Sequence, residues 1–141
     1  MIVGRKTTTA LTVLGSVTAA VVLAAPQAGA AVTRLDIATG LSFGLAQYGT
    51  GCSYTITATA KPGTSVAFYE ADEQGNGTRD TFNPQMPQVD ASGKATTTWR
   101  PATKGRHGIF AQEAPTGDAT ASTIATVGTG INLGFLCLTL P

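Results

Sequence analysis

The stretch VDASGKATTTWRPATKGRHGIFAQE, residues Val89–Glu113, decides the fold of this chain. Apolar and polar side chains alternate along it with the two-residue period of a β-strand, and turn residues interrupt it at Ser92-Gly93 and Pro101–Gly105. The upstream segment GTSVAFYE, residues Gly63–Glu70, alternates in the same way. Together they predict a strand, a turn, a strand, a corner and a further strand, which form the middle of a β-sandwich.

The remaining segments extend this all-β prediction. Residues Ser53–Ala60 alternate cleanly, and Thr33–Phe43 alternate on both sides of Gly40, which favours a first strand that kinks or switches sheets. The closing run Ile131–Leu140 is apolar at successive positions, so we expect a strand that is covered on both faces. No window carries a capped 3.6-residue apolar period, which leaves helices little to form from.

Residues Met1–Ala30 have the three parts of a secretory signal: a short basic head, an apolar centre, and small residues before a cleavage point. We predict cleavage between Ala30 and Ala31, leaving 31–141 as one domain. A retained membrane anchor is the alternative, but the apolar centre is shorter than the roughly 20 residues that a membrane span needs. We therefore expect no membrane span in the mature chain, which would be secreted, either free outside the cell or held non-covalently at the cell wall.

Charge in the mature chain is nearly balanced. Without Arg5 and Lys6, seven of the nine Lys and Arg residues remain against eight Asp and Glu residues, a net charge of −1. Nucleic acid and anionic membranes both demand a basic surface, so neither is expected as the main partner. The partner we expect is an extracellular or envelope protein or glycan, and nothing in the sequence predicts more than a monomer.

The two cysteines, Cys52 and Cys137, most simply form one structural disulfide in an exported chain. A reactive thiol or a metal ligand is the alternative. The single histidine, His107, gives a metal site no support, because zinc needs three or four ligands. We predict no metal and no cofactor.

The most polar stretch, ADEQGNGTRD at 71–80, predicts an exposed hairpin loop with its turn at Asn76-Gly77. Asp72, Glu73, Asn76 and Asp80 make it a possible recognition loop. Their oxygens could also bind Ca²⁺, although they lack the alternating spacing of a dedicated calcium loop, so a solvated hairpin tip is the alternative interpretation.

Catalytic residues are not predicted. His107 could act as a general base toward Ser92 or Ser122, but no G-x-S-x-G nucleophile motif occurs. Glu70 with Asp80 or Glu113 could form a glycosidase pair, yet a domain of this size leaves little room for the deep cleft required. We expect a protein that is not an enzyme.

The run from Cys52 to Glu113 resembles the bacterial immunoglobulin-like domains of exported and cell-surface proteins. The matching pieces are YTITATA, the G-T-x-V-x-F-Y segment at Gly63–Tyr69, the D-A-S-G-K-A-T-T-T-W hairpin, and the P-A-T-x-G-x-H-x-I corner at Pro101–Ile109. The resemblance implies an immunoglobulin-like Greek-key β-sandwich of about seven to nine strands with one disulfide. Cys137 lies beyond the strand that usually supplies the second cysteine, so this bridge is expected to join different elements.

These observations predict an exported, non-catalytic binding or structural module at the cell envelope or in the extracellular space of an actinobacterium-like organism. The alternative is a secreted small-ligand carrier or protease inhibitor built on the same sandwich.

Overall fold

The computed structural model describes residues 32–115 and 120–141, and within them it contains strands and no helix. The proposed signal segment and its cleavage point, Ala30 and Ala31, lie outside the described residues. The strands are β1 (Arg34–Ile37), β2 (Leu41–Ser42), β3 (Tyr48–Gly49), β4 (Tyr54–Thr59), β5 (Ser65–Ala71), β6 (Gly77–Thr78), β7 (Phe82–Asn83), β8 (Lys94–Trp99), β9 (Gly105–Ala114), β10 (Thr120–Asn132) and β11 (Cys137–Leu140). No described helix could span a membrane.

The strands form two sheets with the topology of an immunoglobulin-like sandwich. One sheet has the order β1-β4-β8-β7 and the other the order β2-β11-β10-β9-β5-β6, with β3 pairing in parallel with β10. The first order corresponds to strands A, B, E and D of an immunoglobulin domain, and β5, β9 and β10 correspond to C, F and G. The prediction of an all-β immunoglobulin-like sandwich is therefore confirmed.

The first strand switches sheets at the position that the sequence indicated. β1 pairs with β4 in the four-stranded sheet, whereas β2 pairs with β11 in the other sheet. Gly40 lies between them, against the ring of Tyr54, where an added Cβ would come within 3.1 Å of a ring carbon. A larger residue would push the two half-strands away from that ring.

The core lies between the sheets and is built around Trp99, which is fully buried at the end of β8. The rings of Tyr48 and Tyr54 pack against the indole with centroids 5.4 Å and 5.9 Å away. Ile56, Val66, Phe68 and Ile109 fill the centre, also with no exposed surface. Their alternation along β4, β5 and β9 is the pattern that predicted the sandwich.

The closing segment differs from the expectation of one strand covered on both faces. β10 continues to Asn132, the chain turns back with Leu133 N–H donating to the carbonyl oxygen of Leu136, and β11 returns along β10. Gly134 takes a positive φ of 88° in this turn. The result is a hairpin with one exposed apolar face, because nothing else in the described chain packs on its outer side.

Two hairpin turns in the chain share one design, in which an aspartate precedes a glycine by three residues. Asp72 Oδ1 accepts from the backbone N–H of Gln74 and Asn76, and Gly75 has a positive φ. In DASGK, Asp90 accepts in the same way from Ser92 and Lys94. The 71–80 hairpin is thus present, but its tip lies at residues 73–75 rather than at Asn76-Gly77, because Gly77 already pairs with Ala71 in the β5–β6 ladder.

The predicted disulfide joins Cys52 to Cys137, with Cα atoms 5.8 Å apart, and ties the end of the chain to the start of β4. Glycines make room for it: a Cβ on Gly49 would lie 2.6 Å from Gly130 Cα and 3.1 Å from the Cys52 sulfur. The similar sequences Tyr48–Gly51 and Val127–Gly130 run side by side here, with Gly49 opposite Gly128 in the parallel pairing.

Candidate functional site

Three polar side chains meet inside one end of the sandwich, beneath the 72–81 loop. Trp99 Nε1 donates a 2.6 Å hydrogen bond to Glu70 Oε2, and His107 Nδ1 lies 3.7 Å from the same oxygen. His107 Nε2 is 3.0 Å from the carbonyl oxygen of Thr103. Glu70 and His107 are 4% and 2% exposed, so both groups are removed from bulk water.

Strand alternation places these groups inside the sandwich. Glu70 follows Val66 and Phe68 on the inward face of β5, and His107 precedes Ile109 on the inward face of β9. A charged residue at an inward position of an alternating strand was therefore visible in the sequence. The alternation of β5 could have identified Glu70 as a buried charge, although no spacing connects it to a tryptophan 29 positions later.

The protonation pattern of His107 follows from its partners. A carbonyl oxygen can only accept, so the bond to Thr103 requires the proton on Nε2. In the neutral ring Nδ1 is then an acceptor, and it faces the acceptor oxygen of Glu70 across a gap too long for a hydrogen bond. Within residues 32–115 and 120–141, neither Nδ1 nor the buried Oγ1 of Thr81 nearby has a hydrogen-bond partner. In the neutral ring, Nδ1 and Oε2 are therefore two acceptors that face each other.

A cavity of about 300 Å³ lies at this place. The described residues that line it are Glu70, Asp72, Asn76, Gly77, Thr78, Asp80, Thr81, Ala102, Thr103 and His107. Three of them are carboxylates and none is a lysine or arginine. The cavity therefore favours a positively charged group that donates hydrogen bonds.

The four residues of the predicted recognition loop have different roles. Asp72 and Asn76 bind each other, since Asn76 Nδ2 donates to Asp72 Oδ2 over 3.0 Å, and this bond is the main reason that the pKa of Asp72 is lowered. Asp80 lines the 300 Å³ cavity, whereas Glu73 lines a neighbouring cavity of about 440 Å³ together with Arg106. In residues 32–115 and 120–141 no three His, Cys, Asp or Glu side chains are grouped to hold a metal ion.

Of the possible catalytic residues, Glu70, Asp80 and His107 line the 300 Å³ cavity together, whereas Ser92 and Glu113 lie apart from them. Ser92 lies in the turn before β8, at the end of the sandwich opposite His107, and its Oγ donates to Asp90. Ser122 is exposed on β10 and lines the 440 Å³ cavity with His107. Glu113 pairs in register with Val66, which lies four residues before Glu70 on β5. Glu113 and Glu70 are therefore roughly 13 Å apart along the strand direction, farther than the two carboxylates of a glycosidase.

A second feature of the same end of the sandwich is apolar. A groove of about 560 Å³ runs between β4 and the β10–β11 turn, lined by Ala38, Thr39, Gly40, Leu41, Ser53, Tyr54, Thr55, Phe135, Leu136 and Cys137. No charged side chain is among these described residues. Phe135 is 93% exposed, so the groove is shallow on that side.

Comparison with known proteins adds one structural likeness. No family model matches the chain, and no curated protein matches it. One solved structure that matches is the ASH/PapD-like domain 7 of human CEP192, at 14% sequence identity and a TM-score of 0.31. The match covers 78% of this chain and 87% of that domain.

Proposed function

We propose that this chain is an exported, non-catalytic immunoglobulin-like binding module that acts at the cell envelope or outside the cell of an actinobacterium-like organism. Its binding site is the 300 Å³ cavity beneath the 72–81 loop. The group that it binds is a primary ammonium or a guanidinium, presented by an envelope or extracellular partner.

Export is supported by two independent features. The N-terminal 30 residues follow the pattern of a secretory signal, and small residues precede Ala31. The Cys52–Cys137 disulfide suits an oxidising compartment, because cytosolic thiols are kept reduced. Expression of the full sequence in a secreting bacterial host should release a protein whose N-terminus is Ala31, as measured by mass spectrometry of the medium.

The observation that carries the binding proposal is the set of carboxylates that line the cavity, Glu70, Asp72 and Asp80, with no lysine or arginine among the described lining residues. At the base of the cavity, His107 Nδ1 lies 3.7 Å from Glu70 Oε2, and no described residue donates a hydrogen bond to Nδ1. An ammonium group has three N–H donors for the acceptors that line such a cavity. The carboxylates would add charge to these bonds, which roughly doubles their strength relative to neutral ones.

The test uses a charged probe and its neutral counterpart. Titration of the ¹⁵N-labelled protein with butylammonium should shift the resonances of His107, Thr81 and Asp80 in a saturable manner, whereas butanol should not. Asp80→Asn should weaken the response. Asp36→Asn, at a half-buried carboxylate that pairs with Arg34 on the other sheet, should leave it unchanged. Equal responses to both probes would remove the cationic site.

Co-sedimentation with isolated actinobacterial cell walls over a salt series then tests the location. Binding that weakens as salt rises, and that Asp80→Asn reduces, would agree with a charged ligand in the wall. A protein that remains in the supernatant at low salt would place the partner elsewhere.

A small-ligand carrier is the second candidate, and the 560 Å³ groove favours it. Its volume is within the range of ligand pockets, and its lining is uncharged. The test is the binding of a fluorescent apolar dye to the protein. Loss of dye binding in Phe135→Asp, with unchanged binding in Ile124→Asp on the middle of β10, would support this function.

A further inference from the structure

Most of the exposed large apolar side chains are gathered in one region. Of the nine in the part of the chain that the structure describes, seven lie in the segments 41–45 and 131–140, namely Leu41, Phe43, Leu45, Ile131, Leu133, Phe135 and Leu140. The other two, Met86 and Ile124, lie elsewhere. Contiguous exposed apolar patches are rare on monomeric soluble proteins and mark interaction surfaces.

Strand register shows that this region is one face of a sheet. Leu41 pairs with Leu138, and Leu138 pairs with Ile131, so the three side chains form a row across β2, β11 and β10. Phe43 and Leu140 continue the same face two residues further on. We call the face formed by Leu41, Phe43, Ile131, Leu138 and Leu140 the outer face.

The opposite side of the same strands belongs to the core. Thr139 is fully buried and approaches the Tyr54 hydroxyl, and Cys137 is bonded to Cys52. The orientation of the outer face is therefore fixed by the disulfide, and its apolar side chains cannot turn inward without breaking it.

The chain carries no charged side chain in the two segments that build the outer face. None occurs from Ile37 to Ala60 or from Thr120 to Pro141. An anionic bilayer would be bound with the help of basic residues beside the apolar ones, and none is present here. A charged protein partner would find no complementary group. An equally uncharged, apolar protein surface fits best.

Taking about 180 Å² for a fully exposed large apolar side chain, Leu41, Phe43, Ile131 and Leu140 expose about 350 Å² on the outer face. Leu45, which follows β2, and Leu133 and Phe135 in the β10–β11 turn bring the total to about 800 Å². A partner that covers all seven side chains would bury the roughly 800 Å² that each partner buries in a standard interface.

We propose that a second copy of this chain covers the outer face, with the outer faces of the two copies packed against each other about a two-fold axis. Two-fold dimers are the commonest assemblies, and homodimer interfaces are the apolar, charge-poor ones. The loop at 72–81 joins β5 to β6 at the opposite edge of the same sheet, so both cation cavities remain open. This assembly goes beyond the proposed function and does not depend on the identity of its ligand.

The test is the mass of the purified, oxidised protein in solution. The full sequence is expressed in a secreting host, and sedimentation velocity is measured between about 1 and 100 µM. We expect the mass of two chains at the upper end of this range. Phe43→Asp with Ile131→Asp places like charges in the interface and should weaken the dimer by at least 100-fold. Ile124→Asp, on the same strand as Ile131 but more exposed, should leave it unchanged.

Leu45→Asp provides a second variant. This side chain is 93% exposed and its substitution leaves the core intact, so a folded Leu45→Asp protein should also dissociate more readily. A native chain that is monomeric at 100 µM would overturn the proposal, as would a double variant that stays dimeric. A native monomer that floats with phosphatidylcholine vesicles would assign the face to lipid and overturn it as well.

Discussion

Glu70 on β5 accepts the indole N–H of Trp99 on β8, and this 2.6 Å hydrogen bond joins the two sheets through the core. Glu70→Leu would leave the buried N–H without an acceptor, which costs about 1–3 kcal/mol. Glu70→Gln keeps an acceptor oxygen and should cost less. Urea unfolding followed by tryptophan fluorescence measures both. Glu73→Leu, at an exposed position, should change the free energy of unfolding by no more than about 0.5 kcal/mol. Equal losses for Leu and Gln at position 70 would show that the bond contributes little.

Cys52 and Cys137 are 85 positions apart in the sequence, so their bond closes a long loop in the unfolded chain and lowers its conformational entropy. Reduction of the bond should therefore lower the free energy of unfolding by roughly 4–5 kcal/mol. Urea unfolding with and without a reductant measures this difference. The variant with serine at both cysteine positions should be insensitive to reductant and resemble the reduced protein. An oxidised protein no more stable than the reduced one would contradict the chain-entropy argument.

Gly130→Ala should destabilise the fold by about 1–3 kcal/mol, the usual cost of overpacking. Its Cβ would lie 2.9 Å from the Cys52 sulfur and would also meet the carbonyl oxygen of Thr50, and a backbone group cannot move aside cheaply. Gly77→Ala is the matched control, since its Cβ would meet only the Glu70 carbonyl oxygen, at 3.5 Å. Thermal unfolding of the two variants should therefore differ clearly, and similar melting temperatures would contradict the close packing at the disulfide.

Acid should weaken the DASGK turn in a defined pH window. The Ser92 hydroxyl and then the backbone N–H of Lys94 hold the pKa of Asp90 below its ordinary value of 3.8. A carboxyl with a lowered folded-state pKa stabilises the fold above the unfolded-state value, and this contribution is lost as pH falls through the folded-state pKa. Asp90→Asn should therefore flatten part of the pH dependence of stability below about pH 4. Urea midpoints between pH 2 and 6 measure this, and identical profiles for both proteins would contradict it.

Local alternation was sufficient to predict the sandwich. Tyr54–Thr59 and Lys94–Trp99 each bury every second residue, and the buried set includes the large side chains. Ser65–Ala71 follows the same pattern except that Ala67 is buried as well. Period-two patterning depends only on which face meets the core, so it can be read one strand at a time.

The outer face and the polar cluster could not be read in this way. Apolar residues at 131–140 are equally compatible with a covered strand and with an exposed hairpin, because composition does not show what lies on the other side. The meeting of Glu70, Trp99 and His107 depends on how two sheets stack, which no sequence spacing records. The Asp-x-x-Gly spacing of the two turns was the one feature of the sequence that indicated a structural role for Asp72, whose carboxylate accepts hydrogen bonds from the backbone of its own hairpin turn.

The position of the Cys52–Cys137 bond has a mechanical consequence. A force applied between Val32 and Pro141 is transmitted through the disulfide bond, because the residues between the two cysteines form a closed loop that the force does not stretch. Only the short arms outside the loop, about 25 residues, can be drawn out, a gain on the order of 90 Å at full extension. Tension on the oxidised domain can therefore detach β1, β2, β3 and the end of β11, but it cannot unfold the strands that carry Glu70 and His107, because these lie inside the closed loop.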